Sequence, residues 1–394
     1  MIAAIRQLLC GLVVLSLVAS PEELRYCRSA AAEETPGERT TPEPQAAGPA
    51  AETSGTIGHR LLELEAPLGT VRPEMSRLLD DLAEEVRGAI GTRPPEGDAA
   101  GQWNFALRSL RRIDEVLGRR NFVYSTREDL AASLSDALTP RRLDPQLFQR
   151  IVADPSNARR RAQISRQRDG LFHTADCDTV SFLYLSIGEA LDLPIALVEV
   201  PHHNFVRWYV TDRSFVNWET VHGAARSDQD FIRDYRIPQP AIQNGTFLAR
   251  MTRENVLGYG RCIVAAGLEK QGRHKEAQAE YRLAIKANGR SPMPWNNLAW
   301  SLTTSPAELR NGREAVELAR KAVQIYRTAN SLDTLACAYA EAGEFDKAVT
   351  TAIEASVLDP ANPDLKRNIA GFRRRQTWIE LQTPNAASPK PDSP

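Results

Sequence analysis

Residues 176–208 read DCDTVSFLYLSIGEALDLPIALVEVPHHNFVRW, and this stretch decides the fold because its pattern changes halfway along. The first part, residues 178–193, is mainly apolar, which predicts a buried helix that ends before Pro194. Residues 211–213 fit a hairpin turn. β-branched and aromatic residues form three short runs that predict strands of a small antiparallel sheet, at 195–200, 204–210 and 214–218.

Apolar residues recur at three- and four-residue spacing on the N-terminal side of this stretch, from about residue 57 to residue 171. Such spacing places the apolar side chains on one face of a helix. It predicts one helix over residues 75–90, ended by Gly91, and another over residues 103–117. The sequence therefore predicts an α+β domain over residues 57–245, in which helices precede the sheet.

The chain after about residue 251 is helical in pattern throughout and repeats itself. Ala277, Ala315 and Ala348 occupy equivalent places and are 38 and 33 residues apart. A period of about 34 residues with small residues at fixed places is the signature of the tetratricopeptide repeat (TPR). Residues 251–375 resemble this family in three units. The resemblance implies an all-α TPR solenoid that binds a protein partner.

Both ends of the chain have compositions that do not predict a packed core. Arg6 precedes an apolar run at 8–19, which has the length of a signal-peptide core and falls short of the ~20 residues of a bilayer-spanning helix. Residues 1–32 are therefore expected to be an export signal or, alternatively, an uncleaved N-terminal anchor. Residues 33–56 have few large apolar side chains and predict a disordered linker, and residues 376–394 predict a helix end with a disordered tail.

Composition excludes several classes of protein. The chain has 394 residues, more than one ordinary domain needs. Its 49 basic and 50 acidic side chains give a net charge of −1, which offers no argument for nucleic-acid binding. Five cysteines without paired C-x-x-C spacings exclude a disulfide scaffold and a zinc ribbon. We expect an exported protein, periplasmic or otherwise extracytoplasmic, without a cofactor, which contacts a membrane only if its N-terminal segment is uncleaved.

Cys177 at a predicted helix start and His203 on a predicted strand are candidates for the nucleophile and the base of a thiol mechanism. A cysteine attacks as its thiolate, and the unpaired N–H groups and dipole at the predicted helix start favour that form of Cys177. His203, on a predicted strand, is a residue type that takes and returns a proton near neutral pH. An alternative interpretation is that His173, Cys177 and His203 bind zinc, although no tightly spaced ligand pair supports it.

A third group must fix the tautomer of the histidine. Asn217 and Glu219 are the candidates, because side chains alternate along a strand and these two share a face. A turn centred at Asp212 places His203 opposite Val221, so that Glu219 lies two residues from register and Asn217 four. Either side chain could reach the imidazole diagonally, and the sequence leaves both open.

The order of a cysteine at a helix start, a histidine on a strand and an acid or amide on the next strand resembles the transglutaminase-like group of the papain-like fold. The sequence of residues 176–208, followed by FVNWET at 215–220, is similar to sequences of its SirB1-related bacterial branch. The resemblance implies that Cys177 is the nucleophile and His203 the base.

That resemblance also implies acyl transfer at an amide, either hydrolysis of a peptide or isopeptide bond or transfer to an amine. The substrate would be a protein or peptide, and the TPR units would bind a protein partner. The alternative is a catalytically inactive transglutaminase-like scaffold that serves as an adaptor through its repeats.

Overall fold

The computed structural model describes residues 55–95, 98–125, 133–158, 160 and 170–382. The described chain is a mixed α+β protein, as predicted, and it divides into two compact units between Ile237 and Pro238. The sequence placed the end of the first domain at about residue 245. The predicted export signal and nearly all of the predicted linker lie outside the described residues, as does the chain after residue 382.

The first unit contains helices and two small sheets in alternation along the chain. Its helices are α1 Ile57–Glu65, α2 Pro73–Ile90, α3 Ala99–Arg119, α4 Leu134–Leu138, α5 Pro145–Ala153, α6 Cys177–Ala190 and α7 Asp228–Tyr235. Short 3-10 turns occupy Ala66–Leu68 and Pro155–Asn157. Its strands are β1 Phe122–Tyr124, β2 Arg141–Arg142, β3 Leu171–Ala175, β4 Ile195–Val200, β5 His203–Tyr209, β6 Phe215–Glu219 and β7 Ala224–Arg226.

Helix α2 follows the predicted pattern closely. It begins at Pro73, whose missing N–H would be unpaired in the first turn in any case. It ends before Gly91, whose φ of 72° belongs to the left-handed region that glycine tolerates. Its buried side chains include Met75, Leu79 and Val86 on the predicted apolar face.

The wholly helical pattern predicted for residues 57–171 is wrong in part, because strands interrupt it. Strand β1 pairs in parallel with β3, and β2 pairs with β3 in antiparallel orientation, so the sheet order is β1-β3-β2. Strands of two and three residues are too short to show an alternating pattern, and β1 is buried throughout. Periodicity alone could not separate them from the helices around them.

The second sheet carries strands β4-β5-β6-β7 in chain order, all antiparallel. Strand β4 has the predicted bounds, β5 and β6 are each displaced by one residue, and β7 was not predicted. Arg207 pairs with Asn217 and Trp208 with Val216, which centres the hairpin turn on Asp212 as predicted. The predicted register of β5 and β6 is therefore confirmed for the residues that pair, whereas β6 ends at Glu219, two residues before the position predicted to lie opposite His203.

Helices α3 and α6 pack against one face of this sheet and α7 against the other. On the α6 face, Trp208 meets Phe105 of α3 edge-on at 5.8 Å, and the indole N–H of Trp218 donates to the hydroxyl of Tyr184 at 3.1 Å. On the α7 face, the Phe205 and Phe231 rings stack at 3.9 Å. The aromatic residues that predicted strands thus form the core on both sides of the sheet.

The second unit is helical throughout its described length. After α8 Gln239–Gln243, three helical hairpins follow one another, and two further helices complete the unit. The hairpins are α9 Arg253–Lys270 with α10 His274–Ala287, α11 Pro292–Thr304 with α12 Gly312–Ile325, and α13 Ala329–Glu341 with α14 Phe345–Leu358. The remaining helices are α15 Pro363–Arg373 and α16 Trp378–Gln382, and a 3-10 turn spans Ala307–Leu309.

The equivalent alanines are core residues of the helical hairpins. Ala277, Ala315 and Ala348 are completely buried, each in the second helix of its hairpin. A methyl group there lets two backbones approach more closely than a larger side chain would allow. The period read from the sequence therefore corresponds to a repeated helical hairpin.

Helix α16 packs back onto the hairpins. Its Trp378 meets Trp300 of α11 edge-on, with ring centroids 5.0 Å apart. Leu381 lies so close to Gly371 of α15 that a Cβ at that position would be 2.4 Å from the leucine methyl groups. The predicted helix end is therefore a short separate helix. No helix within the described residues combines the length and the hydropathy that a membrane crossing requires.

Candidate active site

Cys177 is the first residue of helix α6, and the residues around it fix the helix start. The carboxylate of Asp176 accepts the backbone N–H of Thr179 at 3.0 Å, and the backbone N–H of Asp176 donates to the Thr179 hydroxyl at 2.9 Å. This reciprocal capping box makes the chain enter the helix at one defined residue. The Cys177 side chain therefore lies in the first turn, where N–H groups lack helical acceptors.

The environment of Cys177 is largely enclosed. The residue is 5% exposed and packs with Tyr124 of β1 and with Val221, just beyond β6. Strand β6 ends at Glu219, so Val221 lies in the turn between β6 and β7. Cys177 thus contacts the turn that follows Glu219 in the chain.

A second connection joins the helix start to strand β5. The Cys177 thiol donates to Oδ1 of Asp178 at 3.3 Å, and the Asn204 amide donates to the same oxygen at 2.7 Å. Asp178 follows Cys177 in the chain and Asn204 follows His203. This hydrogen bond therefore ties the start of helix α6 to the start of strand β5.

Glu219 is the group that the structure brings to His203. The imidazole Nε2 and the Glu219 Oε2 are 2.7 Å apart, and both side chains are nearly buried. Oε1 of Glu219 accepts the backbone N–H of Val221 at 3.1 Å. Burial by itself would raise the pKa of Glu219, but the charge and hydrogen bond of His203 outweigh it. With smaller contributions from His222 and the Val221 N–H, they lower that pKa from 4.5 to about 2.

This arrangement assigns the two nitrogens of the His203 ring. A carboxylate cannot donate, so Nε2 must carry a proton to form the 2.7 Å contact. Proton exchange with a nucleophile then falls to Nδ1. A carboxylate that fixes the tautomer in this way is what the base of a thiol mechanism requires.

Asn217 is held elsewhere. It lies directly across from Arg207 and accepts its Nε–H at 2.7 Å, while its amide donates to Asp228 of α7 at 2.7 Å. Arg207 also donates to Asp228 at 2.5 Å. Asn217 is thus two residues closer to the hairpin turn than Glu219 and belongs to a buried arginine cluster.

The structure adds Tyr235 to the site, which the sequence analysis did not identify. Its ring stacks parallel on the His203 ring, with centroids 5.4 Å apart. Tyr235 is the last residue of α7, a short helix that was not predicted, so no signal tied it to His203. Asp178 and Asn204 were likewise missed, because their roles depend on a contact between residues 26 positions apart.

The zinc interpretation has no structural support. His173 donates from Nδ1 to the carbonyl of Ala137 at 3.1 Å and stacks on Phe122 at 4.5 Å. Burial lowers the pKa of His173, and Arg120 and Arg141 contribute to the same shift. Across the described ranges, His, Cys, Asp and Glu side chains form no group of three or more that could hold a metal ion.

Chemically, the site offers a thiol at a helix N-terminus and a histidine oriented by an ionised carboxylate, which suits nucleophilic catalysis through a thiolate. Comparison with known protein-family models found no match, and a search of the curated proteins found none that matches significantly.

Proposed function

We propose that this protein is an exported transglutaminase-like cysteine hydrolase or acyltransferase that acts on a peptide or isopeptide bond. The observation that carries the proposal is the His203–Glu219 hydrogen bond, together with a cysteine at a helix start that packs on Val221, whose N–H the same carboxylate accepts. An oriented imidazole next to a thiol is the minimal equipment for acyl transfer through a thioester. The helical hairpins, which resemble TPR units, would bind a protein partner.

The reaction that fits these residues has two halves. The Cys177 sulfur attacks the amide carbon, the C–N bond breaks, and a thioester forms. His203 takes the thiol proton and gives it to the leaving amine. In the second half His203 takes a proton from water or from a second amine, which attacks the thioester and restores the thiol.

Two other groups support this reaction. The backbone N–H of Cys177 would stabilise the oxyanion that develops on the amide oxygen. Glu219, ionised because of its low pKa, keeps the imidazole in one orientation and stabilises its protonated form during turnover.

Thiol reactivity tests the proposal without a known substrate. The full chain is alkylated with iodoacetamide across pH, and labelling of the Cys177→Ala variant is subtracted to remove the four other cysteines. We expect a midpoint below the ~8.5 of a free thiol, and a higher midpoint in His203→Ala. A midpoint near ~8.5 in both proteins overturns the catalytic proposal.

One observation favours the second candidate, an inactive adaptor. The Cys177 thiol is hydrogen-bonded to the Asp178 carboxylate, and a negative charge at that position opposes thiolate formation. If the midpoint of Cys177 labelling lies near ~8.5 and does not move in His203→Ala, the first unit is a scaffold and the hairpins carry the function. The expected extracytoplasmic location is tested separately by cell fractionation of the full chain.

A further inference from the structure

We infer that Asp178 is a positioning residue that holds Cys177 as a protonated thiol in the resting protein, and that Asn204 fixes Asp178 in that role. The inference rests on the proposed function in so far as Cys177 is the nucleophile. Its first support is geometric, because a single oxygen, Oδ1 of Asp178, accepts both the thiol and the Asn204 amide, at 3.3 and 2.7 Å.

Asn204 is an unusual residue for its place. It is fully buried as the second residue of strand β5, and its Oδ1 finds no hydrogen-bond partner among the described residues. A buried amide with an unsatisfied oxygen is unfavourable, and an apolar residue of similar size would avoid that penalty. The hydrogen bond to Asp178 compensates for that penalty. It also sets the amide orientation, because the opposite orientation would place two oxygens together.

The carboxylate acts on the sulfur through charge and hydrogen bonding. A thiol donates a hydrogen bond to a carboxylate, whereas a thiolate in the same place would put two negative charges side by side. The helix N-terminus and a protonated His203 act in the opposite direction. Among the titratable groups here, Asp178 accepts the thiol, Tyr124 packs on Cys177 and Asp176 precedes it in the chain. Glu219, which accepts the N–H of Val221, is coupled by charge to His203 and His222.

A resting thiol has a chemical use in an exported protein. Oxidation of cysteine to sulfenic acid proceeds from the thiolate, so a nucleophile kept protonated is less readily oxidised outside the cytoplasm. Asp178 would therefore lower the reactivity of the Cys177 thiol while no substrate is bound. His203 would remove the thiol proton once a substrate binds.

The test compares Asp178→Asn with Asp176→Asn in the full chain. Both changes remove one carboxylate next to Cys177, and asparagine remains a good cap at position 176, where the carboxylate serves Thr179. Asp178→Asn should lower the midpoint of Cys177 alkylation by about one pH unit, and Asp176→Asn should shift it much less. Asp178→Asn should also speed oxidation of Cys177 by hydrogen peroxide. Equal shifts in the two variants, or no shift in Asp178→Asn, overturn the inference.

Asn204→Leu tests the second half of the inference and provides a check if Asp178→Asn folds poorly. Asn204→Leu removes the donor but keeps Asp178, so the midpoint should change by less than in Asp178→Asn. In the double variant the Asn204 effect should disappear, because Asn204 acts through Asp178. Additive effects of the two changes would contradict this. Melting curves recorded on each protein identify variants that are merely unfolded.

Failure of the inference can be told apart from failure of the proposed function. If His203→Ala moves the midpoint but Asp178→Asn does not, the catalytic proposal stands and Asp178 has no such role. If Asp178→Asn moves it and His203→Ala does not, Asp178 controls a cysteine that lacks its base, and the adaptor is favoured.

Discussion

Asn217 and Glu219 point to the same face of β6 but have different partners. The pattern of the strand could place both near His203 but could not separate them. Arg207 and Asp228 distinguish the two side chains, because both hydrogen-bond to the Asn217 amide. The amide is therefore held away from the imidazole. Asp228 comes from α7, a helix that follows the sheet, so no local pattern in β6 contains this information.

We expect Glu219→Gln and Asn217→Ala to differ sharply in thiol reactivity. Glutamine cannot stabilise a protonated His203, so Cys177 alkylation at pH 7 should fall roughly tenfold or more and its midpoint should rise. Asn217→Ala should leave that midpoint in place while it lowers the melting temperature, because Arg207 and Asp228 lose their shared partner. Midpoints that stay at the wild-type value in both variants would show that neither side chain orients His203.

The low pKa of Glu219 has a consequence for stability. A carboxyl whose pKa falls from 4.5 to about 2 on folding stabilises the protein above pH ~4.5, and the stabilisation disappears as pH falls towards 2. By linkage the free energy involved is on the order of 3 kcal/mol. Glu219→Gln should therefore be less stable than the wild type near pH 6, with the difference shrinking between pH 4.5 and 2. Denaturant unfolding at several pH values measures it, and a constant difference across that range would contradict the assignment.

At the scale of elements, the sequence predicts the long helices and strands but not the short strands. Helix α2, strand β4 and the β5–β6 turn follow from periodicity and turn residues. Strands β1 and β2 form because β3 offers them edges, and that partner is distant in sequence. Helix α7 depends likewise on stacking against a sheet already in place.

Helix α13 carries a buried acid that should respond to pH. Asp333 accepts the Asn368 amide of α15 at 2.9 Å. Burial raises its pKa from 3.8 to about 6, although the Asn368 hydrogen bond opposes the shift. Because the folded pKa lies above the unfolded one, ionisation destabilises the fold as pH rises from ~4 to ~6, by on the order of 3 kcal/mol at neutral pH.

We therefore expect Asp333→Asn to raise the melting temperature of the second unit at pH 7. The gain should vanish at about pH 4, where the wild-type carboxyl is protonated in both states. Calorimetry at the two pH values measures it. Asp346→Asn, on an exposed site of α14, is the matched control and should change little at either pH. Destabilisation at both pH values would mean that the ionised form is required for packing.

Packing between hairpin helices gives a further prediction. Ala348 of α14 is completely buried in a cluster with Ala336, Ala340 and Phe372. Ala348→Leu adds volume where none is available and should cost roughly 1–3 kcal/mol. The melting temperature of the second unit should fall and partner binding should weaken, while Cys177 alkylation stays unchanged. A parallel loss of thiol reactivity would show that the two units unfold together.

For the molecule as a whole, the repeat of about 34 residues that begins after residue 251 predicts a second part of the chain. The structure does divide into two compact units. The division itself was harder to locate, because Pro238 and Pro240, which directly follow it, are only seven and five residues from the boundary that the sequence predicts at about residue 245. Repetition of alanines marked the hairpins, whereas the return of α16 onto them depends on two aromatic rings 78 residues apart.

The edge-on pair of Trp300 and Trp378 gives the chain a built-in optical signal. Of the six tryptophans, Trp208 and Trp218 are deeply buried in the first unit, whereas Trp378 is only partly covered. An indole that leaves an aromatic neighbour for water emits at longer wavelength. Release of α16 should therefore redden the emission before the hairpins lose their circular dichroism, and Trp378→Phe should abolish that early change. Detachment of α16 can thus be followed in an unlabelled protein.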